Sequence, residues 1–184
     1  MAMTDMELTA LNIKSARYYG PQFQMDHFTE ELAELIQAVT ENSPEQITEE
    51  IADVEVMVEQ MKYLLSLYDD EIAKGEDYCH RIINQANRLD KSTESCIWAL
   101  ADPIKQLNKL RRTNSETGFD LSAEADAKRK DAKHRLEHSI GALICNIGWL
   151  TEKYEITADA IRAVKVYKVQ RTRDRIKQEV SNNV

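Results

Sequence analysis

Ile47, Ile51, Val54, Val58, Met61, Leu65 and Tyr68 recur along the chain at alternating steps of four and three. That spacing keeps the apolar side chains on one stripe of an α-helix, whereas a strand turns its faces over every second residue. Phe28, Leu32, Leu35, Ile36 and Val39 form a similar stripe one segment earlier. A helix striped along one side must bury that side against other helices, so the spacing predicts an all-α helical bundle. Only five glycines and three prolines occur in 184 residues, and a composition 42% hydrophobic and 30% charged suits long amphipathic helices. Helices are expected at 4–19, 23–42, 45–69, 72–90, 93–112, 121–153 and 157–180, six or seven in all. The clearest start is Ser43-Pro44-Glu45-Gln46, where serine caps, proline suits the first helical position and glutamine completes a capping box.

Between Arg17 and Lys62 there is no lysine or arginine, yet eleven carboxylates occur there. Two groups repeat a pattern: Glu30-Glu31-Leu32-Ala33-Glu34 and Glu49-Glu50-Ile51-Ala52-Asp53. Residues three apart share a helix face, so Glu31 with Glu34, and Glu50 with Asp53, each make a two-pronged oxygen ligand set. Both pairs lie roughly 100–130° round from their apolar stripe and on the same side of it, flanking the core. If the two helices pack side by side, the four carboxylates converge. Hard cations such as magnesium or manganese take oxygen ligands, and magnesium also binds substrate phosphates. The plain alternative is a solvated outer face, but such a face normally mixes both signs of charge.

Other classes are disfavoured. A net charge of −8 counts against a general nucleic-acid binder. Cys79, Cys96 and Cys145 are odd in number and make no C-x-x-C pair, against a disulfide framework or zinc site. No apolar run reaches the ~20 residues of a membrane span, and no basic-then-apolar leader opens the chain, so no membrane partner is expected and the cytoplasm is the expected location. There is no glycine-rich phosphate loop and no Ser-His-Asp set. His27, His80, His134 and His138 lack ligand company; His134 and His138 are four apart, but with no third ligand nearby they read as surface residues. Trp98, Trp149, Tyr18, Tyr19 and His27 read as core packing, with base stacking as the alternative. The polar stretch Asn114–Lys133 reads as an exposed connection or a lid.

The run from Ala16 to Tyr68, with EELAELIQAV at 30–39 and ITEEIADVEVMVEQMKYL at 47–64, resembles the MazG-like members of the all-α nucleoside triphosphate pyrophosphohydrolases. Their signature is E-E-x-x-E followed by E-x-x-D. Lys165-Val166-Tyr167-Lys168-Val169-Gln170-Arg171 is similar to their basic tail helix, although Gln170 stands where asparagine is more usual. The resemblance implies magnesium (or manganese) held by Glu31, Glu34, Glu50 and Asp53, a nucleoside triphosphate met by Lys165, Lys168 and Arg171, and cleavage to a monophosphate and pyrophosphate. One of the acids, or the adjacent Glu30 or Glu49, would serve as general base. Short family members pair, so a homodimer is implied. From spacing alone, the stripe Arg162, Lys165, Lys168, Arg171 and Arg175 reads equally as phosphate-binding or as a solvated helix pairing with acidic surface.

A shift of 72 places Met25 on Ile97, Phe28 on Leu100, Leu32 on Ile104 and Leu35 on Leu107; a shift of 89 places Ile51 on Ile140, Val54 on Leu143 and Met61 on Leu150. The acids do not recur: Glu31 and Glu34 fall on Pro103 and Gln106, and Glu50 and Asp53 on Ser139 and Ala142. A diverged tandem repeat is expected, with a metal-competent half at 1–72 and a degenerate half at 73–184 packed together. Chance alignment of apolar periodicity is the alternative. Two non-enzymatic functions also stay open: a nucleotide-binding or sequestering protein, and a helical adaptor.

Overall fold

The computed structural model describes residues 3–85 and 93–182, with 83–85 in backbone only. The described residues form six α-helices and no strand: α1 (Asp5–Glu41), α2 (Pro44–Leu64), α3 (Asp69–Gln85), α4 (Thr93–Thr117), α5 (Ala123–Lys153) and α6 (Ala158–Asn182). The chain is all-α. The helices expected at 4–19 and 23–42 join into α1, interrupted only at Gly20 (φ 80°, ψ 169°). Glycine takes that backbone without penalty, and Pro21 pushes the residue before it out of the helical region. The end of the helix expected at 72–90, beyond Gln85, lies outside the described residues.

Three local expectations are corrected. Ser43 does precede α2 with Pro44 at its start, but its side chain makes no cap bond and the capping box does not form. Its N–H instead closes α1 on Ala38 O at 3.2 Å, through Asn42 in the left-handed region. The capping box lies at the other end of α1: Thr4 N–H donates to Glu7 Oε2 at 2.8 Å, and Glu7 N–H to Thr4 Oγ1 at 3.3 Å. Second, α2 ends at Leu64, with Ser66 at φ 51°, so Tyr68 leaves the stripe and is 61% exposed. Third, most of Asn114–Lys133 is helical, and the connection shrinks to 118–122. Gly118 stops α4 with a positive φ of 46°. Ion pairs one turn apart, Glu124–Lys128 and Asp126–Lys130 at 2.8 Å and Asp131–Arg135 at 2.9 Å, support the exposed start of α5.

The chain divides into two compact units, one running through Ser66 and resuming at Thr151, the other Leu67–Leu150. In unit 1, α1, α2 and α6 pack mutually around Phe28, Leu32, Leu35, Ile47, Ile51, Val54 and Met61, all fully buried. In unit 2, Leu100, Leu107, Leu136, Ile140, Leu143 and Leu150 are the fully buried counterparts. Trp98, expected in a core, is 73% exposed, and Tyr18 is 42% exposed. No described helix is long and apolar enough to cross a membrane.

Candidate functional site

The link between α1 and α2 is only Asn42–Ser43, which folds the two helices back on each other. Glu31 and Asp53 lie equally far in sequence on either side of Asn42, so antiparallel packing brings them to the same level. One ligand oxygen from each of Glu31, Glu50 and Asp53 lies within 4.8 Å of the others. Glu31 is 7% exposed and Asp53 8%. These two therefore lie deeper than a flanking position implies, because α6 packs against both helices and covers them. Glu34 is exposed and outside the group of three, yet near enough to repel Glu31 and Glu50. Glu30 and Glu49 are exposed and also outside the group.

Packing three carboxylates together out of water penalises their charges. Burial first, then the fields of Asp53, Glu34 and Glu50, raise Glu31 to about 8, with Lys168 opposing. Burial, then Glu34 and Asp53, raise Glu50 to about 7, again against Lys168. Glu50 Oε2 is buried without a hydrogen-bond partner. A cation in the centre would relieve each of these penalties.

Lys168 brings an ammonium into direct contact with the group, its Nζ donating to Asp53 Oδ2 at 2.5 Å. Burial works against its charge, but the bond to Asp53 and the fields of Asp53, Glu31 and Glu50 prevail and hold its pKa above the usual lysine value. Lys165 pairs with Glu55 at 3.0 Å, and Arg162 with Asp5 at 3.0 Å. The basic stripe of α6 thus lies along the acidic face of α1 and α2. Arg171 and Arg175 are exposed at the cleft that opens beside the acids.

That cleft has a volume of about 100 Å³. One wall is an aromatic row on α1: Tyr19 and Phe23 stack with centroids 5.0 Å apart, and Phe23 and His27 at 6.1 Å. Phe23, absent from the sequence-based candidates, is half exposed; the steps of four from Tyr19 to Phe23 to His27 were the available signal. His27 Nε2 reaches Glu31 Oε1 at 3.0 Å, so this histidine orients a carboxylate rather than packing in the core. Opposite, Gln60 donates to Asn12 Oδ1 at 2.6 Å while Gln60 Oε1 stays buried and unpartnered. Compared with protein-family models, curated proteins and solved structures, the chain matched none.

Proposed function

We propose that the chain is a magnesium-dependent nucleoside triphosphate pyrophosphohydrolase of the MazG-like kind. The observation that carries this reading is the convergence of Glu31, Glu50 and Asp53 within 4.8 Å, with a Glu50 oxygen buried and unpartnered. All-oxygen donors suit magnesium or manganese, whose bonds of about 2.0–2.1 Å put octahedral ligands roughly 3–4 Å apart. Glu31, Glu50 and Asp53 would hold the ion, with Glu34 completing the set after a rotamer change. Magnesium supplies charge neutralisation at the phosphates and a more acidic bound water.

The residues around it divide the remaining work. A bound cation would displace Lys168 from Asp53, and its ammonium would then be free to meet the phosphate chain beside Arg171, while Lys165, paired with Glu55 at a neighbouring cleft, would have to leave that partner to join them. The cleft is too small for a whole nucleotide, so the nucleoside would extend outward past Tyr19 towards Phe23, whose half-exposed ring offers stacking. Without the ion, burial and mutual repulsion raise the proton affinity of Glu31 and Glu50; a bound cation would lower it again, so a carboxylate oxygen left off the ion would serve as the proton acceptor for the attacking water. Glu30 and Glu49 lie further out and would act only through a water.

Pyrophosphate release from a panel of ribo- and deoxynucleoside triphosphates, with magnesium or with chelator, tests the proposal. Magnesium-dependent release that Glu50→Gln and Asp53→Asn abolish is expected. Tight binding of a nucleotide without product would make the chain a sequestering protein. Neither binding nor turnover would leave the adaptor.

A further inference from the structure

Unit 2 contains a second cluster with different donors. α3 and α5 run parallel: Glu71 lies beside His134 and His138, and further along His80 Nδ1 lies 3.6 Å from Cys145 Sγ. Two glycines permit this approach. A Cβ on Gly75 would fall 2.4 Å from His138 O, and one on Gly141 would fall 2.2 Å from Ile72 O. Gly75 is one turn beyond Glu71 and Gly141 one turn beyond His138, so the glycine contact fixes the carboxylate against both imidazoles.

Glu71 Oε2 is 3.1 Å from His134 Nδ1 and 3.7 Å from His138 Nε2. In a tetrahedral zinc site with bonds of about 2.0–2.1 Å, donors sit roughly 3.3–3.4 Å apart. The two separations bracket that value. The other Glu71 oxygen is held by Lys74 Nζ at 2.5 Å, which turns Oε2 towards the rings. His138 Nε2 is buried and makes no hydrogen bond, so an ordinary carboxylate–imidazole pair leaves it unsatisfied. The two rings, 4.2 Å apart and tilted by 56°, flank a cleft of about 390 Å³ that Asp102 and Asp131 also line.

The geometry points to a three-ligand site for a transition-metal ion of the zinc type, formed by Glu71, His134 and His138. Two imidazoles and one carboxylate suit zinc, cobalt(II) or nickel(II) and suit magnesium poorly, so this site and the acidic site of unit 1 differ in the ions they take. His134 is exposed, as its reading as a surface residue expects, and Glu71 is the third donor that the sequence did not place beside the two histidines. The ligand set was invisible along the chain because Glu71 lies on another helix, far away in sequence.

Isothermal titration of tag-free protein with zinc chloride, in saturating magnesium, tests the site. One equivalent bound with micromolar or tighter affinity is expected, lost in His134→Ala/His138→Ala and kept in Glu50→Gln/Asp53→Asn. Cobalt(II) should give the intense visible bands of a tetrahedral ion. Should the double histidine variant misfold, zinc-induced shifts of imidazole nitrogens in the unaltered protein decide instead: His134 and His138 move while His27 and His80 stay. No zinc uptake, uptake that survives the histidine changes or vanishes with the unit 1 acids, or shifts confined to other histidines would each overturn the assignment. An ion pair alone, with Glu71→Gln altering histidine titration but no metal bound, would do the same.

Discussion

Replacing Glu31 by glutamine is expected to stabilise the metal-free protein, although Glu31 is nearly buried and bonded to His27 at 3.0 Å. Its burial and the repulsion of Asp53, Glu34 and Glu50 lift its carboxyl from 4.5 to about 8. A carboxyl raised in this way binds a proton more tightly in the folded than in the unfolded chain. Its contribution is therefore fully present below pH 4.5 and is lost as pH rises through about 8. At about 1.4 kcal/mol per pH unit, this interval sets a ceiling on the order of 5 kcal/mol. Glutamine must still leave water, and Glu50 shares the same repulsion, which reduces the expected gain to about 1–2 kcal/mol above pH 8. Urea unfolding followed by circular dichroism, in chelator at a series of pH values, measures the difference. The gap between variant and wild type should be smallest at acid pH, widen as pH rises and level off above about pH 8. Saturating magnesium should then stabilise wild type and leave the variant unmoved. A variant less stable than wild type at pH 8.5 without metal, or a gap independent of pH, would refute the reasoning.

Lys168→Met removes the ammonium bonded to Asp53 and should destabilise the metal-free protein by about 2 kcal/mol; the loss should shrink in saturating magnesium, as thermal unfolding with and without the ion would show. Gly20→Ala meets no neighbour within 4 Å but is forced to φ 80°, so a cost of about 1–2 kcal/mol from backbone strain alone is expected in urea unfolding. Gly75→Ala drives a Cβ into the His138 carbonyl and should cost about 1–3 kcal/mol while weakening zinc uptake at Glu71, His134 and His138, read by unfolding and zinc titration together.

The helices and many of their buried apolar positions were legible because apolar spacing is a local signal, whereas the division into two units, with α6 joining α1 and α2, was not. Phe28 and Leu35, and Leu100 and Leu107 a fixed shift later, are all fully buried, as are Ile51 and Ile140. The acids were legible as two matched pairs, and the short Asn42–Ser43 link explains why Glu31 and Asp53 meet. Their depth was not legible, since it depends on α6 crossing over them from the far end of the chain. Helix ends failed where backbone bonding overrode the capping pattern: Ser43 has the right side chain, but its N–H is engaged in closing α1. Tyr19, Phe23 and His27 form a row although Gly20, with non-helical φ and ψ, lies between the first two.

Diffraction from crystals grown in manganese, recorded at the manganese edge, locates the ion that the acidic site is argued to hold. The expected result is one strong anomalous peak within about 2.2 Å of oxygens from Glu31, Glu50 and Asp53, with Lys168 swung away from Asp53. No peak there at saturating manganese, with Lys168 still bonded to Asp53, would contradict the account.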